Sequence, residues 1–223
     1  MTSHRFVVMG TDTGVGKTHV GEGLSAAWRA QGHDVVALKP IESGIATVSW
    51  EQEDGVRLAR ATGQASPECA LQRLQAPIAP PAAAEKEGKT LSFAGMLDSL
   101  RKAEGDAEVT LIEGAGGVLS PLTWEHTALD LAQEMDASVI LVASDALGSM
   151  NQVRTALRVL WGADLEVVAV ILSASTAAQD PSLSNQDGLS RVPEAIHAHL
   201  LPRTANVEET ADHLSALARE LVA

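Results

Sequence analysis

Residues 5–9, RFVVM, run straight into Gly10-Thr11-Asp12-Thr13-Gly14-Val15-Gly16-Lys17-Thr18, and a helical pattern starts at once. Few features restrict a fold more. A glycine-rich turn between a strand and a helix aims backbone N–H groups, and the positive end of the helix dipole, at one point in space. That point is an anion site. The general phosphate-loop pattern is G-x-x-x-x-G-K-[ST], in which the Lys serves the terminal phosphates and the hydroxyl serves Mg²⁺. Counting back from Gly16-Lys17-Thr18, the first glycine should stand at position 11. Thr11 is there instead, and the glycine stands one residue early, at Gly10. The flanking strand and helix still predict a working cradle.

The same alternation continues along the chain. Apolar runs 34–38, 108–112, 138–143 and 166–172 read as strands. Helical periodicity covers 16–30, 50–63, 93–104, 150–161 and 207–222. The Pro-rich stretch 76–91 reads as a loop, and the polar stretch 173–191 as a long surface loop. Strands alternating with helices predict an α/β fold of three layers, P-loop NTPase-like, with a mainly parallel central sheet and helices on both faces. One domain over residues 1–223 is expected. In such sheets ligands bind beyond the carboxyl ends of the strands, so the polar residues that follow the strands are the ones to weigh.

The charge balance narrows the partners. The formal net charge is −13 at pH 7, which argues against nucleic acid and anionic membrane, since both reward Lys and Arg. A single cysteine, Cys69, excludes an internal disulfide and a Cys-based zinc cage. The N-terminal apolar run is too short for a signal peptide, and no stretch approaches the roughly 20 apolar residues of a membrane span. A cytoplasmic location is expected. His4, His19, His33, His126, His197, His199 and His213 are scattered and read as solvent-exposed side chains rather than ligands.

GTDTGVGKT closely resembles the signature of the dethiobiotin synthetases, and the resemblance extends from residue 10 to about residue 152 in order. LKPIESG (38–44), EDGVRLA (53–59), APIAPPAAA, EGAGGVLSPL (113–122) and LGSMNQ (147–152) are each similar to a family segment. The resemblance implies an ATP-dependent reaction that joins CO2 to 7,8-diaminopelargonic acid and closes a cyclic urea through a carbamate and a carbamic-phosphoric anhydride. It implies nucleotide contacts at Thr13, Gly14, Val15, Gly16, Lys17 and Thr18, with Gly114, Ala115 and Gly116 as small residues beside the ligand. It makes Lys39 a catalytic lysine alongside Lys17. Thr13 and Ser43 become substrate contacts, and Thr18, Asp54 and Glu113 a hard-oxygen set for Mg²⁺. Gly148, Ser149, Met150 and Asn151 would hold the substrate carboxylate from a neighbouring subunit, which implies a homodimer with composite sites.

Two places depart from the family. Where it carries an Asn that reads the adenine edge, this chain has Ser173-Ala174-Ser175; where it carries G-x-[IL]-P, this chain has HLLPRT (199–204). Either nucleobase selection is weak, or the base is bound by backbone groups near Pro202 and Arg203. Two rival readings remain at this point. A ParA/MinD-like switch ATPase would need a Lys where Asp12 stands, and a cobyrinic-acid-type amidotransferase would need a further glutaminase domain.

Overall fold

In a parallel sheet covered on both sides, the middle of each inner strand is buried, and successive side chains serve opposite faces. The inner strands follow that rule. In strand β1 (His4–Gly10), Val7 and Met9 join one core while Phe6 and Val8 join the other. The computed structural model describes residues 3–174 and 184–223. Its elements are β1, α1 (Lys17–Ala30), β2 (Val35–Leu38), β3 (Ile41–Ser43), α2 (Asp54–Thr62), β4 (Gln72–Leu74), α3 (Pro80–Lys86) and α4 (Phe93–Glu104). Then follow β5 (Val109–Gly117), α5 (Ala128–Glu134), β6 (Ser138–Ser144), α6 (Ser149–Gly162), β7 (Val167–Ser173), α7 (Asn185–Arg191), β8 (Ala198–Leu201) and α8 (Val207–Leu221).

Six strands form the main sheet in the order β2-β5-β1-β6-β7-β8, all pairs parallel. A separate parallel pair, β3-β4, sits beside it. Val20, Leu24 and Trp28 of α1 and Leu214 and Leu217 of α8 cover one face. Met96 and Leu100 of α4, Leu131 of α5, and Val153 and Leu157 of α6 cover the other. Trp28 is fully buried, stacks on Phe6 at 5.3 Å, and donates its indole N–H to the Ala218 carbonyl at 2.7 Å. Truncating it to Ala would cost about 3–5 kcal/mol. This contact fixes α8 against α1, the helix that carries the phosphate loop. Because the strands are parallel, the 11–16 turn, Lys39 and the end of β5 all meet at one edge.

Several expectations need correction. The helix expected over 50–63 is broken: Trp50–Gln52 is a 3-10 turn, Glu53 is extended, and α2 starts at Asp54. The break is held from outside the helix. Arg73 of β4 clasps the Glu53 carboxylate with two N–H groups, at 2.8 and 2.5 Å. The supposed loop 76–91 contains α3, which Pro80 and Pro81 start rather than prevent, because their fixed φ suits the first helical turn. The supposed loop 173–191 contains α7, capped by Ser184, whose hydroxyl accepts from the Asp187 N–H; residues 175–183 lie outside those described. Strand β5 extends past residue 112 through the glycines to Gly117. The short elements β3, β4, α5 and β8 were missed. Among the described residues, no helix is long and apolar enough to cross a membrane.

Candidate active site

The displaced glycine has a steric reason. A Cβ on Gly10 would lie 2.7 Å from the Asp12 carbonyl oxygen and 2.8 Å from the Lys17 Nζ. The chain turns so tightly that Gly10 backs directly onto the loop's lysine. Gly16 caps α1 with φ +101°, a region that side chains avoid, and a Cβ there would stand 2.7 Å from the Ser173 Oγ. Lys17 is buried and donates to the carbonyls of Asp12 at 2.9 Å and Gly116 at 2.8 Å. Burial lowers its pKa to about 8, against the pull of Glu113.

Next to it three elements bring oxygen ligands together. The Thr18 hydroxyl opens α1, Asp54 opens α2, and Glu113 lies in β5 opposite Val8. Thr18 Oγ1 lies 2.9 Å from Asp54 Oδ1 and 3.0 Å from Glu113 Oε1. Lys39, just past β2, places its ammonium 3.1 Å from Asp54 Oδ2 and 2.5 Å from Glu113 Oε1, with a longer bond to the Gly114 carbonyl. Burial alone would lower the Lys39 pKa, but the charges of Glu113 and Asp54 hold it above its usual value. Burial pushes the Glu113 carboxyl up, opposed by Lys39. Asp54 ends below its usual range: burial would raise it, and the Lys39 ammonium and the Thr18 hydroxyl outweigh that. One ammonium thus serves two carboxylates.

The set also suits a divalent cation. Glu113 Oε2 is buried without a hydrogen-bond partner, an arrangement that is costly unless something completes it. Two carboxylates and a hydroxyl are hard oxygen donors, and too few to enclose an ion, as Mg²⁺ shared with phosphate requires. Among the described residues no group of three or more His, Cys, Asp or Glu could hold a metal, so any ion here would depend on the Thr18 oxygen and on its substrate.

These groups line a cavity of about 700 Å³, whose walls include Thr13, Ser43, Ala115, Ile78, Ser120 and Pro121. Not every expected residue faces it. Val15 packs into the core between α1 and the sheet. Ser173 is buried behind Gly16. Gly148, Ser149, Met150 and Asn151 lie at the start of α6, outside the cavity wall. There the Ser149 hydroxyl is taken up by its own turn: it donates to the Ser144 carbonyl and accepts from the Ala146 N–H. Pro202 follows β8 at the far end of the sheet. Gly116 is glycine for a local reason, since a Cβ would strike the Ser120 side chain.

Three cavity residues escaped the sequence reading. Glu42 accepts the N–H groups of Asp54 at 2.7 Å and Gly55 at 3.0 Å, and so anchors the first turn of α2. It stands between Lys39 and Ser43, which was the available signal. Arg57, one turn after Asp54, clasps the buried Glu22 of α1 with two bonds, at 3.0 and 2.5 Å. His19, expected to be solvent-exposed, is half-buried and within 2.9 Å of the Thr204 hydroxyl.

Comparison with known proteins bears on this arrangement. A profile of the AAA domain family matches residues 4–213. The ATP-dependent dethiobiotin synthetase BioD of Anaeromyxobacter sp. (strain Fw109-5) is 38% identical over 208 residues, covering 92% of this chain and 91% of its own. The protein of the same name from Caulobacter vibrioides (strain NA1000 / CB15N) is 42% identical over 188 residues, covering 82% and 85%. Among solved structures, the septum site-determining protein MinD with Mg-ADP from Pyrococcus horikoshii OT3 superposes with a TM-score of 0.56 at 15% identity, covering 100% of this chain and 93% of that one. A ParA family ATPase from Chlorobium tepidum TLS gives 0.55 at 12% identity, covering 99% and 96%. These two are relatives in fold alone. They bear out the expected three-layer P-loop NTPase architecture.

Proposed function

Since this chain belongs to the ATP-dependent dethiobiotin synthetase family, we infer that its cavity joins CO2 to a diamine at the expense of ATP. The chain is an ATP-dependent ligase of biotin biosynthesis. The finer proposal assigns 7,8-diaminopelargonic acid as the substrate and the residues above as the machinery. The observation that carries it is the Lys39 ammonium held between Asp54 and Glu113, beside Lys17 and Thr18 in one cavity.

The chemistry asks mainly for charge neutralisation and alignment. One substrate amine adds CO2 and loses a proton, giving a carbamate. A carbamate oxygen attacks the γ-phosphorus and ADP leaves. The second amine then attacks the carbonyl carbon, and the urea ring closes with loss of phosphate and a proton. Carbamate and γ-phosphate are both anions and repel each other. Lys17 and Lys39, both on the wall of this cavity, supply the two positive charges that let them approach. Backbone N–H groups of residues 14–18 hold the phosphates at the start of α1. Ser43 and Thr13, on the cavity wall, orient the diamine. Thr18, Asp54 and Glu113 would hold Mg²⁺, which neutralises phosphate charge when bound.

The proposal includes a homodimer in which residues 148–151 of a neighbouring copy receive the substrate's carboxylate. The neighbouring Leu147 is 94% exposed, an apolar side chain with nothing covering it in one copy. A cytoplasmic location belongs to the same proposal, and the acidic surface supports a reading without nucleic-acid or membrane partners. The switch-ATPase reading has no support at the site, because Asp12 brings a negative charge where that mechanism needs a cation. The test is product formation: diaminopelargonate, bicarbonate, Mg²⁺ and ATP, scored for dethiobiotin by mass, with Lys17→Ala and Lys39→Ala as controls. ATP hydrolysis indifferent to the diamine would overturn the assignment.

A further inference from the structure

The phosphate end of the nucleotide is accounted for by the loop, Lys17 and Thr18. The residue immediately after Thr18 reaches a different part of the chain. His19 lines the same cavity, and its Nε2 lies 2.9 Å from Thr204 Oγ1 and 3.4 Å from Thr210 Oγ1. The two hydroxyl oxygens are 2.7 Å apart, and Thr210 Oγ1 lies 2.9 Å from the Asn206 carbonyl.

A hydroxyl has a single proton to donate, so once the Thr210 proton lies on the Asn206 carbonyl, which only accepts, the other directions follow. The Thr204 proton then goes to the Thr210 oxygen. The Thr204 oxygen is left to accept the Nε2–H of His19. The chain of bonds runs one way, from α1 through Thr204 to α8. It ties down the segment 202–206, whose other end is held where the Asn206 side chain accepts from the Glu209 N–H at 2.9 Å and Glu209 accepts from the Ala205 N–H at 2.7 Å.

Triphosphate on the N-terminus of α1 would rest against the first turn of that helix. That turn holds His19 on the cavity wall, and segment 202–206 is fastened to it. We propose that His19 is the positioning residue of the nucleoside subsite: acting through Thr204, it holds segment 202–206 where the sugar and base of a nucleoside triphosphate are received. With Ser173 buried behind Gly16, this clamp takes over the fixing of the nucleoside end. The inference rests on the phosphate-loop reading above.

Calorimetric titration of the folded protein with Mg-ATP and with Mg-tripolyphosphate separates the two ideas, because tripolyphosphate carries the phosphates without sugar or base. His19→Ala and Thr204→Val should each weaken ATP about tenfold and leave tripolyphosphate within about twofold. His19→Gln, whose amide can donate from near the Nε2 position, and Thr204→Ser should keep most of the ATP affinity. Equal losses for both ligands would mean that His19 merely shapes the phosphate loop, and unchanged ATP binding would mean that the clamp does nothing for the nucleoside; either result overturns the proposal. Tripolyphosphate failing to bind the parent protein would instead remove the phosphate-loop reading, and this inference with it.

Discussion

Lys39 and Glu113 meet 2.5 Å apart at the edge of the sheet, with side-chain exposures of 5% and 1%. A pair so withdrawn from water adds little net stability, yet removing one member strands the other. Lys39→Ala is therefore expected to lower the free energy of unfolding by about 3–5 kcal/mol and to reduce dethiobiotin formation by at least about 100-fold. Denaturant melts and product mass measure the two effects. A variant as stable as the parent would show that Glu113 does not depend on this ammonium.

Lys17 gives nucleotide binding a pH dependence of known sign. Its pKa is lowered to about 8 in the free protein, so its charged fraction falls as pH rises through that value. Triphosphate prefers the ammonium. The ATP dissociation constant should rise by several fold between about pH 7.5 and 9.5. Lys17→Arg cannot lose its charge in this range, and its dissociation constant should stay flat, whatever its absolute value. A parent curve as flat as that of the Arg variant would contradict the argument.

Glu42 acts on the metal set at one remove. It holds the Asp54 and Gly55 amides and so fixes where the Asp54 carboxylate points. Glu42→Ala should cost about 1–3 kcal/mol, since two amide hydrogens lose a buried charged acceptor. It should also raise the Mg²⁺ concentration for half-maximal ATP binding about tenfold, the lower end of what is lost when an outer-shell partner is removed. Magnesium titrations followed by nucleotide fluorescence read this directly; an unchanged Mg²⁺ requirement would leave Glu42 as a helix cap and nothing more.

Leu147 tests the composite site. An aspartate at this exposed apolar position would bring an uncompensated charge into the proposed dimer interface. Leu147→Asp should sediment as a monomer, bind ATP with parental affinity, and show a KM for the diamine raised about tenfold or more. A monomer with full activity would refute the shared site.

Residue pattern made much of this legible. The short apolar runs of the strands and the Gly16-Lys17-Thr18 corner located the sheet and one wall of the cavity, because both are local. The glycine at position 10 made sense only once Lys17 was seen to lie against it. Pro80-Pro81 looked like a loop because proline is read as a breaker, although at a helix start it is an initiator. Helix α5 carried a readable signal that was passed over: Thr127 and Asp130 form a reciprocal cap. Glu42 was signalled only by its place between Lys39 and Ser43, and Arg57 and His19 could not be found this way. Their partners lie 12 to 185 residues away, and no local pattern encodes such distances.

The placement of β5 matters during synthesis. It slots between β1 and β2, although both emerge from the ribosome long before it. A nascent chain ending before residue 109 possesses both lysines and Asp54 but lacks Glu113, the second carboxylate that pins Lys39 in place, and its first two strands have no neighbour in common. Nucleotide capture therefore cannot begin while the early segments are still waiting, and ATP would bind only after the late strand has threaded into the middle of the sheet.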